Sequence, residues 1–425
     1  MGEFSNNVAH SNGRYGLRIF HNLIPRTYPC SPIIYDEKNL TDPYWKNPLI
    51  TAHFVNFTSY KNGRNGAIAE KVGDVRWENF KVADNLVAGL EYSITGLTMD
   101  GTAQINGALV IGYSNNAELV TNNTFSHGII TPRKEFFQVN NVKFFNFDVA
   151  GKAAIGSCSH CFHPASTDSG ARTVTFSGIK FDPATVPIKI RYQYPFRDIF
   201  YDLDGSLTGL GPKTWATPYF LHNHQPECIV NMTVYDGILC NSNVQVRRVV
   251  FQQYSPSIFE MMPLKILKID GNEWNQTNPN ASSEYYANSS SYSIVPFKPK
   301  SDPSNAWALP IVTGHKYKLH WGYGLDFDRM LLELSPKWQP SDKGINMVMN
   351  FTDIRAKVEV ITGGDFIENT TLTTKAANQL QTGDNNIYND TETRQIPLHI
   401  NGKNKTRASV RMVGYRCIGS CFAAI

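Results

Sequence analysis

Apolar and polar residues alternate along most of this chain in runs of five to eight, and Gly, Asn and Pro interrupt nearly every run. Successive side chains of an extended strand point to opposite faces, so such alternation predicts strands with one buried face. Apolar residues at helical spacing are scarce. The stretch Asp326 to Leu334 is the one that predicts a short helix.

Five stretches share one scheme: apolar, variable, apolar, variable, turn residue, apolar, variable and, in most copies, a final apolar residue. They start at Ala52, Val75, Phe137, Val174 and Val244, the first two 23 residues apart and the later ones further. The turn residue is Asn56, Asn79, Asn141 or Gly178 in four copies and Arg248 in the fifth. Repeats at intervals of about 20 to 50 residues mark solenoids, propellers or arrays. Asn and Gly tolerate the left-handed backbone that turns a chain between two short strands. Stacked coils would set one Asn above the next, with side-chain amides bonding along the axis. The expected class is therefore all-β, a right-handed parallel β-helix over residues 1–260. The competing reading is an ordinary sandwich with coincidental Asn turns.

Beyond about residue 256 the pattern changes. Residues 261–300 read as a linker, with Asn272 to Ser293 an exposed loop carrying three glycosylation sequons. Residues 301–425 read as a smaller antiparallel, sandwich-like domain. Its strands are expected at Ala308–Val312, Lys316–Tyr323, Ile345–Phe351, Ala356–Ile361, Ile396–Ile400 and Ala408–Tyr415, with Thr362 to Asp390 as loop.

Of the 425 residues, 41% are hydrophobic and 18% charged, which excludes a disordered chain. A net charge of +4 over this length is too weak to argue for nucleic acid. No run approaches the roughly 18 to 20 apolar residues that cross a bilayer. Met1 to Asn6 has neither the basic nor the apolar segment of an export signal, and Asn6 stands where myristoylation wants Ser or Thr. Yet Asn39, Asn56, Asn122, Asn231, Asn275, Asn280, Asn288, Asn350, Asn369, Asn389 and Asn404 all begin Asn-x-Ser/Thr sequons. Chance in so Asn-rich a chain gives roughly half as many. An export-like chain without an export signal suggests a fragment of something longer. The expected setting is extracellular or cell-surface, with N-linked glycans.

The seven cysteines agree with that setting. Close spacing suggests disulfides Cys158–Cys161, Cys228–Cys240 and Cys417–Cys421, with Cys30 left for an outside partner or a free thiol. Cys158, His160, Cys161 and His163 are alternatively zinc ligands, although four ligands within six residues is unusually tight.

Asp202 and Asp204 are the most suggestive carboxylates. Two apart on a strand, they are expected to share a face, where they would serve as calcium ligands or as the acid and the nucleophile or base of glycoside hydrolysis. The plainer reading is a β-turn whose Asp side chains bond their own backbone. His222, His224 and Glu227 are candidate metal ligands, or simply part of a loop pinned by Cys228. His10, His53 and His127 stand alone. Trp45, Tyr60, Tyr113, Tyr192, Tyr194 and Trp215 are candidates for stacking on sugars, and Arg191 and Arg197 for pairing with an acidic glycan, unless buried between coils. Signatures of the common hydrolases, phosphate loops and zinc proteases are absent from the sequence.

Three strings carry a family resemblance: Gly2 to Leu17, the run Asp202-Leu-Asp204-Gly205-Ser206-Leu207-Thr208-Gly209, and Val249 to Phe251 followed by Ser255-Pro256. They resemble the fibrocystin-L-like family, related to a transmembrane cell-surface hyaluronidase and a secreted hyaluronan-binding protein involved in cell migration. The resemblance implies a parallel β-helix that contains the Asp202–Gly209 run, in a large extracellular or membrane-anchored protein. In the hyaluronan-degrading relatives activity goes with an extra glycine-rich domain ahead of the β-helix, which is not recognisable here. The leading expectation is thus a non-catalytic structural or binding segment that engages glycans or proteins or assembles end to end. The alternatives are a polysaccharide-degrading enzyme using Asp202 and Asp204, and a calcium-dependent adhesion module.

Overall fold

The computed structural model describes side chains within residues 4–20, 23–28, 48–93, 95, 103–114, 127–132, 137–157, 173–192, 199–217 and 228–246, and only the backbone of strands at 218 and from 247 on. It forms two compact units, one of Met1–Pro164 and Gly170–Val244, the other of Ala165–Ser169 and Gln245–Ile425. The described residues are all-β, with no α-helix among them. None therefore holds a helix long and apolar enough to cross a membrane.

The first unit climbs in rungs, as a β-helix-like stack. The strands are β1 (Phe4–Ser5), β2 (Val8–His10) and β3 (Tyr15–Ile19), then β4 (Ala52–Val55), β5 (Thr58–Tyr60) and β6 (Asn65–Ala69). The next rungs hold β7 (Val75–Ala83) with β8 (Ala88–Tyr92), β9 (Ala103–Ile111) with β10 (His127–Ile130), and β11 (Phe137–Phe145) with β12 (Ala153–Gly156). Above them lie β13 (Thr173–Ser177), β14 (Lys180–Phe181) and β15 (Ile190–Arg191), and then β16 (Ile199–Asp202). Strands β1, β4, β7, β9, β11, β13 and β16 pair in parallel as one sheet, and β3, β6, β8, β10, β12 and β15 as another.

The expected turn ladder is present. Asn56, Asn79, Asn141 and Gly178 have φ of 54°, 55°, 56° and 63°, and Asn6 and Gly107 extend the series at 57° and 73°. The turn resets the side-chain alternation. Trp77 and Phe80 are three apart, which strict alternation would place on opposite faces, yet both are buried. The same holds for Val139 and Val142. The interior fills with rings: Trp77 against Phe80 at 5.3 Å and Tyr92 at 4.2 Å, and Tyr92 against Phe137 at 4.7 Å. Asn56 Nδ2 donates to Asn6 Oδ1 at 3.1 Å, as the stacking argument requires. A second ladder runs from the surface inward: exposed Asn12 Nδ2 donates to Asn62 Oδ1 at 3.0 Å, and buried Asn62 Nδ2 to buried Asn85 Oδ1 at 2.9 Å. Buried amides bonded to one another in this way avoid the cost of unpaired polar groups and fix rung register.

After β16 the sheet changes character. β17 (Thr214–Pro218) pairs antiparallel with β16, followed by β18 (Cys228–Asn231) and β19 (Gly237–Cys240), with β18 at the outer edge.

Two sequence expectations fail in the second unit. The fifth repeat copy is no rung: Val246–Gln253 is one unbroken strand, paired antiparallel to Asn305–Val312 and Arg329–Ser335. Arg248, where the scheme wants a turn residue, stays inside that strand. The helix expected at Asp326–Leu334 is instead strand, at Leu325–Asp326 and Arg329–Ser335. Arg329–Ser335 has a strand partner on both sides, Val246–Gln253 and Arg407–Val413, and ladder bonds on two edges override helical spacing. The six expected strands lie at Asn305–Val312, Tyr317–Trp321, Ile345–Asn350, Lys357–Thr362, Gln395–Ile400 and Arg407–Val413. Strands also occur in stretches read as linker or loop, at Leu264–Lys268, Trp274–Asn275, Val295–Phe297, Thr374–Lys375 and Asn386–Tyr388.

Candidate functional site

The Asp202–Gly209 run forms the loop where the parallel stack ends. Asp202 is the last residue of β16 and is fully buried. Its Oδ2 accepts hydrogen bonds from Leu207 N (3.0 Å), Thr208 N (2.8 Å) and Thr208 Oγ1 (2.9 Å), and its Oδ1 one from Gly205 N (3.1 Å). Gly205 has φ 85°, and a Cβ there would lie 2.4 Å from the carbonyl carbon of Gly211. Burial raises the Asp202 pKa, as does the neighbouring Asp204 charge, while bonds from Thr208 and Leu207 oppose the rise. Tyr235 Oη donates to the Thr208 carbonyl at 3.0 Å, and the side chains of Lys189 and Tyr235 are bonded at 2.7 Å.

Asp204 faces the other way in function. Its Oδ2 accepts from Gly178 N at 2.7 Å, and its Oδ1 accepts from Ser206 N and Oγ at 3.0 and 2.6 Å. Ser206 Oγ in turn accepts from Ile179 N at 2.8 Å. Lower in the stack the turn residue donates to the next rung's backbone, Asn6 N to Val55 O at 3.1 Å and Asn56 N to Glu78 O at 2.9 Å. At Gly178 the acceptor is instead a side chain that stands in for the next rung. Burial would raise the Asp204 pKa, but hydrogen bonds from Ser206 and Gly178 outweigh it and hold the carboxyl below its ordinary value.

The two carboxylates thus do not share an open face as strand alternation suggested. The strand stops at Asp202, alternation stops with it, and Asp202 is buried while Asp204 is exposed. Among the described residues no group of three or more His, Cys, Asp or Glu is placed to hold a metal.

The open face lies on the outer side of the larger sheet. Register sets Thr58, Lys81, Leu109, Lys143 and Lys180 in one outward column. His10, Tyr60, Ala83, Ile111 and Phe145 form the column beside it. Neighbouring strands are about 4.8 Å apart, so Lys81 and Lys143 are separated by about 10 Å and Lys143 and Lys180 by about 5 Å along the axis. Lys81, Lys143, Lys180 and Phe145 are exposed, and His10 stacks on Tyr60 with ring centroids 4.7 Å apart and planes within 6°. A shallow groove of about 320 Å³ crosses this face, lined among others by Tyr60, Lys61, Lys81, Leu109 and Ile111. The Asp84 carboxylate at its rim is occupied by Ser114 N and Oγ at 2.5 and 2.6 Å.

Other sequence candidates fall out differently. Tyr60 and Tyr113 are half-buried, whereas Tyr192 and Trp215 are buried and unable to stack on a sugar; Trp215 packs on Tyr201 at 4.2 Å. Arg191 pairs with Asp236 at 3.4 Å. Cys228 and Cys240 are joined as a disulfide across β18 and β19. Asn56 and Asn231 are the sequon asparagines with described side chains. Trp45, Tyr194, Arg197, His222, His224, Glu227, Cys30, Cys158, His160, Cys161, His163, Cys421 and the other sequon side chains lie outside the described residues, as does the side chain of Cys417.

No known family model matches the chain. It is 26% identical over 266 residues to fibrocystin-L of Mus musculus, covering 60% of this chain and 6% of that protein. It is 26% identical over 245 residues to fibrocystin of Canis lupus familiaris, covering 57% of this chain and 5% of that one. To the cell migration-inducing and hyaluronan-binding protein of Mus musculus it is 26% identical over 320 residues, covering 64% of this chain and 22% of the relative. The chain thus spans a small part of the length of each relative. Over some 60% of its residues, this chain is fibrocystin-L-like.

Proposed function

We propose that the chain is an extracellular binding segment of a fibrocystin-L-like surface protein, built on a right-handed β-helix whose outer face holds an extended acidic polysaccharide. The observation that carries this reading is the column of Lys81, Lys143 and Lys180 running beside Tyr60, Ile111 and Phe145. Each exposed ion pair contributes less than about 1 kcal/mol, so the column works by repetition along a polymer. Apolar and aromatic neighbours offer surfaces for the C–H faces of sugar rings. The relative named as hyaluronan-binding makes hyaluronan the first polymer to try.

Hydrolysis or calcium binding by Asp202 and Asp204 draws no support from their geometry, because their oxygens already take backbone and hydroxyl donors. The test is calorimetric titration of the full chain with hyaluronan oligosaccharides in low and in physiological salt. Replacing Lys81, Lys143 and Lys180 together by Gln is expected to weaken binding at least tenfold and flatten its salt dependence. Equal binding by the triple variant would overturn the reading, as would shortening of the oligosaccharides by the wild-type chain.

A further inference from the structure

Strand β18, with the residues that follow it, has an unusual surface for an edge. Ile229 is 56% exposed, Val230 45% and Met232 43%. The strand pairs on one side with β19 and is the last of its sheet among the described strands. The Cys228–Cys240 disulfide fixes it there, so the edge cannot fold away. An exposed apolar edge strand is a template for pairing with other chains, and natural proteins cover or charge such edges. No charged residue occupies Cys228–Thr233.

In the middle of this surface stands Asn231, the first residue of the sequon Asn231-Met232-Thr233. Its Oδ1 accepts the Val234 amide at 3.1 Å and its carbonyl accepts the Tyr235 amide at 3.2 Å. The side chain is thereby held by its oxygen, and no hydrogen bond among the described residues engages Nδ2, the atom that takes a glycan. Met232 and Thr233 are exposed, leaving room around it. Asn56 differs, since its Nδ2 is used in the rung ladder with Asn6.

We infer that Asn231 carries an N-linked glycan whose function is to cover the apolar edge formed by Ile229, Val230 and Met232. The inference rests on the extracellular reading above. A sugar at this point hydrates the edge and blocks strand addition without changing the fold.

The test is secretion of the full chain from mammalian cells behind an export signal, with site-by-site glycopeptide mass spectrometry and sedimentation analysis. The informative variant is Thr233→Ala, which removes the sequon but keeps the Asn231 bond to Val234. Asn231 is expected to be occupied in the wild type. Thr233→Ala is expected to self-associate while its melting temperature stays within a few degrees, and Thr233→Ala with Val230→Lys to return to monomer. An unoccupied Asn231 beside occupied sequons elsewhere overturns this inference alone. A chain with no occupied sequon overturns the extracellular reading with it. A Thr233→Ala chain that stays monomeric, or that unfolds, overturns the covering role.

Discussion

The Asp204 carboxylate accepts the amide hydrogen of Gly178 at 2.7 Å, across 26 residues of sequence. Every rung of a parallel stack leaves backbone donors for the next one, and the last rung must find them elsewhere. Here Asp204 and Ser206 receive Gly178 N and Ile179 N, and Asp202 organises the loop that delivers them. Asp204→Ala and Ser206→Ala should each cost about 0.5–1.5 kcal/mol, since each removes the acceptor of a backbone donor that water reaches in part. Because Ser206 also donates to Asp204, the double variant should cost less than the sum. Urea denaturation of the full chain checks this, and losses below about 0.5 kcal/mol would argue against a capping role.

The turn ladder makes a second prediction. A Cβ on Gly107 would lie 2.6 Å from Asn79 Oδ1, and φ there is 73°. Gly107→Ala should therefore destabilise by more than the roughly 1–2 kcal/mol of left-handed strain alone. Adding Asn79→Gly removes the obstructing amide and should recover part of that loss. Melting temperatures of the three variants test the coupling, and strict additivity would contradict it.

Stability should fall in mild acid because of His127. Burial lowers its pKa to about 3 from 6.5, and the Arg191 charge adds to this. The unfolded chain therefore takes up a proton that the fold refuses between pH 6.5 and about 3. The fold keeps its full margin above pH 6.5 and loses it progressively as pH drops through that window. Between pH 7 and 4.5 the loss from this group should reach about 2–3 kcal/mol. His127→Asn should lose stability less steeply over the same range, and parallel pH profiles for variant and wild type would contradict the assignment.

The sequence made the rungs legible because the left-handed turn is a local demand that Asn and Gly meet visibly. Two rungs escaped. In Phe4–His10 the residues around Asn6 are mostly polar, and in Ala103–Ile111 the turn falls on Gly107 with an Asn before it. The lysine column was written in the same repeat: Lys81, Lys143 and Lys180 occupy its seventh position in three copies. It was open to reading by aligning the copies for what they expose as well as what they bury. The cap was not legible, since its bonds join residues 26 and 27 apart that only the stacked fold brings together. Asp202 and Asp204 looked like chemistry because two carboxylates near a glycine fit many sites, and only burial and donor geometry distinguish a cap from a ligand set.

The most direct measurement is hydroxyl-radical footprinting of the full chain with and without saturating hyaluronan oligosaccharide. Tyr60, Leu109, Ile111 and Phe145 on the outer face are expected to be protected, with Leu203 and Leu210 of the capping loop unchanged. Protection confined to the capping loop, with the outer face as reactive as before, would contradict binding on that face.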